Sequence, residues 1–183
     1  RELKPGAKAS GDRLPPLWSS ELGGRFYYYL FVVLIFTLGN STDAFLLLRA
    51  QEAGITITFI PILWTILHIS KVVFSLIGGK FSDRFGAKTA IILGWLVYAG
   101  VYFGFAQVEG KLWVVALFAI YGLFYGLTEG PEKAFVAEFV GSHLRGTAYG
   151  LYNLAVGIGA LPASVIFGYI WKAYGYSVAF YFG

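Results

Sequence analysis

The residues able to do chemistry in this chain are ionisable groups set inside long apolar sequence: Asp43, His68, Lys71, Glu129 and Glu132. A lone Lys in hydrocarbon costs about 2.5–3.5 kcal/mol on insertion scales, so each such group needs water, a partner or a function. The work open to them is to hold an ion, to touch a polar solute or to carry a proton. Helical rise puts Lys71 ~24 Å from the outer end of its apolar run and Glu129 ~26 Å from the outer end of its own. At a shared level near the cytosolic side, Glu129 or Glu132 is the expected partner of Lys71. A competing reading pairs Glu129 with Lys133, four residues on in a favourable helical orientation. His68, one turn before Lys71, could carry protons because its unperturbed pKa is ~6.5, although a lone His in a span more often just makes a hydrogen bond. Asp43 lies ~26 Å from the inner end of its run, near the outer surface. With Asn40 and Arg49 it reads either as an outer gate that touches solute or as an interfacial cluster paired with Arg49.

Other chemistry finds no support. There is no Ser/His/Asp set and no metal-ligand spacing, and the absence of cysteine excludes disulfides, thiolate metal sites and cysteine nucleophiles. An enzyme is not expected, nor a cofactor or a metal.

The elements that must position these groups are apolar runs. Of 183 residues, 57% are hydrophobic and 13% charged, against roughly 45–50% and 25% in a soluble domain. Such a chain is an integral membrane protein with the lipid bilayer as its surroundings. Residues 26–48, 55–78, 89–106, 112–133 and 147–171 are each about long enough to span. A sixth run starts at residue 177 and reaches residue 183 after only ~10 Å of helix. Residues 1–24 are polar, with Pro5, Pro15, Pro16 and the pair Gly23-Gly24, and read as a flexible cytosolic linker. With no Met in the chain and no cleavable signal, the native protein is expected to extend at both ends, six spans upstream and a completed sixth span downstream.

Orientation follows from the cations. Arg1, Lys4, Lys8, Arg13, Arg25, Lys80, Arg84, Lys88 and Arg145 fall on one side; Arg49, Lys111 and Lys172 fall on the other. The first side is cytosolic by the positive-inside rule. The net charge of +4 is sorted by membrane side rather than gathered on one element, so no nucleic-acid partner is expected.

Polar residues every three or four positions mark helix faces turned from lipid. The first run has Thr37, Asn40, Ser41 and Asp43, and the second has Thr65, His68, Lys71 and Ser75. The fourth has Tyr121, Tyr125, Thr128, Glu129 and Glu132, and the fifth has Tyr149, Tyr152 and Asn153. The third offers only Tyr98 and Tyr102 and reads as peripheral. The fifth is rich in small residues, among them Gly146, Gly150, Gly157 and Gly159. They suit either a helix-packing face or a surface that slides against a further set of helices.

Between the second and third runs stand Gly79, Lys80, Phe81, Ser82, Asp83, Arg84, Phe85, Gly86, Ala87 and Lys88. So short and charged a segment between two spans reads as a tight turn on the cytosolic face. In that turn Gly79 would let helix ends approach, and Gly86 would supply a conformation costly for other residues. The pattern Gly-x-x-x-Asp-Arg-x-Gly-x-Lys resembles the signature loop of the major facilitator superfamily, although Ala87 stands where the family usually has a basic residue.

The resemblance implies an all-α membrane fold, the C-terminal half of a twelve-helix bundle, with a missing N-terminal half as its partner. It implies secondary active transport of a small-molecule solute by alternating access, coupled to protons, in the cytoplasmic membrane of a prokaryote. Drug-like efflux and metabolite uptake both remain open, as does a non-transporting sensor or scaffold on the same fold. The third helix of each half faces lipid in that family. The spacing of Glu138 and Arg145 is similar to a pair that joins the signature loop in facilitator sugar porters. The implied cytosolic network is Asp83, Arg84, Glu138 and Arg145, with Asp83 also capping a helix of the other half.

Overall fold

A computed structural model describes residues 20–183. The linker expectation therefore lies largely outside the described residues. After a short 3-10 turn at Ser20–Leu22, the chain forms α1 (Gly23–Gly39), α2 (Ala44–Glu52), α3 (Ile60–Phe85), α4 (Ala87–Gln107), α5 (Lys111–Glu138), α6 (Arg145–Tyr174) and α7 (Tyr176–Phe182). Five stretches are long and apolar enough to cross a membrane: Gly23–Glu52, Ile57–Phe85, Ala87–Gln107, Lys111–Glu138 and Ser142–Tyr174. The protein is an all-α membrane protein.

Two boundaries and one placement correct the sequence reading. The first span is two helices, because residues 40–43 leave the helix between Gly39 and Ala44. Second, the charged segment after residue 78 is no turn. Helix α3 continues through Gly79, Asp83 and Arg84 to Phe85, and α4 begins at Ala87. The corner is Gly86 alone, at φ 88, a left-handed value that side chains reach only at a cost. Apolar run length misses such a boundary, because polar residues continue a helix beyond the bilayer without interrupting its hydrogen bonds. Third, α4 is not peripheral within the described bundle. Its Tyr98, Val101, Tyr102 and Phe105 are buried, while Ile92, Leu96 and Phe103 stay exposed on its other side.

Helices α3 and α5 pack most extensively, α4 packs against α5, and α1 against α6. Small residues make the first contact possible: a Cβ at Gly78 would overlap the Gly126 carbonyl, and one at Gly122 would overlap Ser70. Close backbone approach of this kind replaces the hydrophobic drive that lipid removes. In α6 the expected packing face is only partly used. Gly159 meets Thr37 and Leu34, but Gly146, Gly150 and Gly157 face open space.

Two apolar clusters hold the ends of the bundle. One joins α2, α4, α5 and α7 through Leu46, Tyr102, Phe118 and Phe180. The other joins α1, α5 and α6 through Phe26, Tyr29, Val136 and Ala148. Polar contacts agree with the two ends: His143 lies 3.8 Å from Glu21 at one, and Trp171 donates to Glu52 (3.2 Å) at the other.

Candidate functional site

A cavity of about 480 Å³ opens where the two clusters meet, walled by α1, the break at residues 40–43, α5 and α6. The break sets its chemistry. A span interrupted in mid-course takes a short polar stretch into apolar surroundings, which is tolerated where it lines a cavity. Here Asn40, Ser41, Thr42 and Asp43 all line it. Tyr98 of α4 donates to the Gly39 carbonyl (3.2 Å), and the Ser41 hydroxyl is bonded to that of Tyr102 (3.2 Å). The two tyrosines that the sequence assigned to a lipid-facing helix thus secure the break.

Asp43 is the most heavily partnered group. The Tyr125 hydroxyl lies 2.9 Å from both carboxylate oxygens, Tyr121 donates to Oδ1 at 3.3 Å, and Lys71 Nζ lies 3.3 Å from Oδ2. The same ammonium stands 3.3 Å from the centroid of the Tyr125 ring. Two expectations are corrected by this arrangement: Lys71 pairs with Asp43 rather than with Glu129 or Glu132, and Asp43 does not pair with Arg49. Arg49 instead donates to the carbonyls of Phe105 (3.2 Å) and Val108 (2.6 Å). Depths counted along apolar runs fail here because the runs are not the helices. Helix α3 starts at Ile60 and runs to Phe85, so Lys71 is near its middle, level with the break.

Glu132 faces the same cavity from α5. Trp95 Nε1–H donates to its Oε1 (3.4 Å), and the Tyr152 hydroxyl donates to Oε2. It forms no ion pair among the described residues. Glu129 pairs with Lys133 at 3.3 Å, both more than half exposed at the rim, in agreement with the competing sequence reading. His68 Nδ1–H donates to the Trp64 carbonyl (2.8 Å), its ring is exposed, and it does not line the cavity. Tyr149 donates to the Lys133 carbonyl (3.2 Å), and Asn153 is exposed off the cavity.

The signature residues lie elsewhere. Gly79 and Asp83 line a separate pocket of about 430 Å³ between α3 and α5, together with Glu129 and Pro131. Nothing stands within 4 Å of a Cβ built on Gly79, so the close approach belongs to Gly78. Asp83, Arg84, Gly86, Lys88, Glu138 and Arg145 are all exposed. No ion pair joins Asp83, Arg84, Glu138 and Arg145 among the described residues.

Sequence reasoning missed the aromatic walls of the site, Phe36, Trp64 and Phe124, and the Trp95 donor. A signal for the last was available: Trp95, Tyr98 and Tyr102 recur at spacings of three and four along the third run, one face of a helix.

Comparison with known proteins bears on the family of the chain. The sequence profile of the Major Facilitator Superfamily matches residues 17–183. An uncharacterized MFS-type transporter of Methanocaldococcus jannaschii is 38% identical over 150 residues, covering 79% of this chain and 38% of that protein. A multidrug resistance protein of Klebsiella pneumoniae is 36% identical over 90 residues, 49% of this chain and 22% of its own length. A niacin transporter of Acinetobacter baylyi is 25% identical over 167 residues, 91% of this chain and 36% of its own. The chain therefore spans between about a fifth and little more than a third of the length of these relatives. No solved structure matches it significantly.

Proposed function

The chain belongs to the major facilitator superfamily, and from that premise we propose that it is the C-terminal half of a proton-coupled secondary active transporter that moves a small solute by alternating access. The observation that carries the reading is that two of the three carboxylates lining one cavity, Asp43 and Glu132, stand in unlike surroundings. Asp43 has a cation at 3.3 Å, whereas Glu132 is held by neutral donors, Trp95 and Tyr152, without an ion pair. The desolvation cost of a membrane carboxylate without an ion pair is offset by hydrogen bonds or by a bound proton. The groups around Glu132 are Glu129 and Lys133 on its own helix, Tyr152 on α6, Trp95 on α4 and Tyr29 on α1.

In this scheme Glu132 exchanges the coupling proton and the cavity takes the solute near the midplane, against a second half that closes its open side. The corner at Gly86 and the exposed Asp83 belong to the cytosolic face, where they contact that second half in one state and release it in the other. The membrane is the cytoplasmic membrane of a prokaryote, in line with the bacterial and archaeal origin of the relatives.

The test is uptake and efflux by the full-length protein in proteoliposomes, with and without an imposed proton gradient. Glu132→Gln should abolish gradient-driven accumulation while leaving solute exchange at equal pH. Gradient-driven accumulation that survives Glu132→Gln would remove Glu132 from the coupling step, and absence of any solute movement would remove the transporter itself.

A further inference from the structure

We infer that Asp43, Tyr121 and Tyr125 form a cation site whose resident occupant is the protein's own Lys71, and that the solute is an organic cation, an amine on an apolar body, which takes the place of Lys71 at Asp43. The inference rests on the transporter reading and names the substrate class of its cavity.

The Lys71 ammonium has the surroundings that a bound amine would need. A carboxylate oxygen lies 3.3 Å away, and the Tyr125 ring centroid also lies 3.3 Å away, well inside cation–π range. The carboxylate is fixed independently of Lys71, because the Tyr121 and Tyr125 hydroxyls donate to it. Removing the ammonium would therefore leave a preformed, negatively charged acceptor. Lys71 itself arrives from α3 on a flexible four-carbon stem. The α3–α5 contact is backbone to backbone at Gly78 and Gly126, so exchange at Asp43 is a side-chain event that leaves this contact intact.

Part of the remaining wall presents acceptors, beside the polar groups of Asn40, Thr42 and Trp64. The hydroxyls of Thr37, Thr128 and Ser164 all line it, and each donates its proton to a carbonyl of its own helix, at 2.8, 2.9 and 2.9 Å. Their lone pairs are what remain for a ligand. The Tyr125 and Tyr152 hydroxyls are donated to Asp43 and Glu132. An anion would find both nearby cations committed, Lys71 to Asp43 and Lys133 to Glu129. An amine finds carboxylate and hydroxyl acceptors, with Phe36, Phe124 and Trp64 to cover its apolar body. When the amine leaves, Lys71 returns, so the empty carrier keeps Asp43 neutralised.

The experiment measures binding of radiolabelled phenethylammonium to the purified full-length protein in nanodiscs, with phenylethanol and phenylacetate as neutral and anionic competitors. Wild type should bind the amine saturably, and neither competitor should displace it. Lys71→Ala, or Lys71→Gln if the first variant does not fold, should bind it about tenfold more tightly because the tethered competitor is gone. Adding Asp43→Asn to either should abolish the gain. Absence of amine binding, displacement by phenylacetate, or tight binding that persists without Asp43 would overturn the inference. The transporter reading is separated by a second readout. Phenethylammonium that binds at Asp43 but never crosses proteoliposome membranes leaves the cation site standing without transport. Gradient-driven movement of an anion with no amine binding does the reverse.

Discussion

Gly78 of α3 lies backbone to backbone against Gly126 of α5, so close that a methyl group at position 78 would overlap the Gly126 carbonyl oxygen. Gly79, the next residue, has open space where its Cβ would stand. The two neighbours should therefore respond oppositely to the same change. Gly78→Ala forces the helices apart and should cost about 1–3 kcal/mol or more, as overpacking does. Gly79→Ala should be neutral or gain about 0.5–1 kcal/mol from helix propensity. Thermal unfolding of the purified full-length protein in detergent reads the difference. Equal melting temperatures for the two variants would show that α3 and α5 are not in backbone contact.

The pair Asp43–Lys71 should be coupled, and Lys71–Glu129 should not. With side chains only 15–20% exposed, removing one charge strands the other, a penalty on the order of 3–5 kcal/mol, whereas removing both is far milder. Lys71→Ala and Asp43→Asn should each reduce folded yield, and the double variant should partly restore it. In a cycle with Glu129→Gln the effects should add, since Glu129 is paired with Lys133 instead. Yield and melting temperature across both cycles check the assignment.

The number of spans was legible in the sequence because it depends on local composition, run length against bilayer thickness. The candidate residues Asn40, Asp43, Tyr125, Glu129 and Glu132 do line one cavity. Partner choice was not legible. It depends on depth, depth depends on where each helix begins, and run length alone passes over both the cluster Gly39-Asn40-Ser41-Thr42-Asp43 that marks the break and Pro61 in the first turn of α3. An error of about five residues in the start of α3 corresponds to ~8 Å of rise, enough to send Lys71 to the wrong carboxylate. The reading of α4 failed for a related reason. Two tyrosines on an otherwise apolar helix gave too little polarity to mark a packed face, and only tertiary contact shows their hydroxyls bonded to Gly39 and Ser41.

Arg49 is 3% exposed and forms no ion pair among the described residues. It is held by the Phe105 and Val108 carbonyls at the end of α4 and by the Tyr176 ring, 3.9 Å from its guanidinium carbon. A cation is favourable at a helix C-terminus, and α2, α4 and α7 meet at this one side chain. Arg49→Gln should cost about 1.5–3 kcal/mol for each charge-assisted hydrogen bond it removes. Arg49→Lys should recover only part, because an ammonium does not reproduce the planar fork. Labelling of a cysteine placed at Ser177, at the start of α7, should rise in Arg49→Gln and less in Arg49→Lys. Unchanged labelling in both would show that Arg49 does not hold α7.

The last prediction concerns the corner between α3 and α4. Asp83 and Gly86 stand three residues apart but act on different properties. Gly86 has φ 88, so Gly86→Ala strains the backbone by roughly 1–2 kcal/mol and should lower the melting temperature. Asp83 is exposed at the end of α3, outside the apolar clusters, so Asp83→Asn should express and melt as wild type. Its effect should fall on transport. In the proposed transport scheme, this carboxylate would bind cationic partners and helix-terminal amides of the opposing half only while the cytosolic side is shut. Each such interaction would stabilise the shut state by on the order of 1–3 kcal/mol, so removing it should move a closely balanced two-state equilibrium about tenfold toward the open state. Single cysteines at Gly150 and Asn153, both exposed on α6, should then label faster from the cytosolic side in Asp83→Asn, while transport falls. Unchanged labelling with unchanged transport would reduce this corner to a helix junction and nothing more.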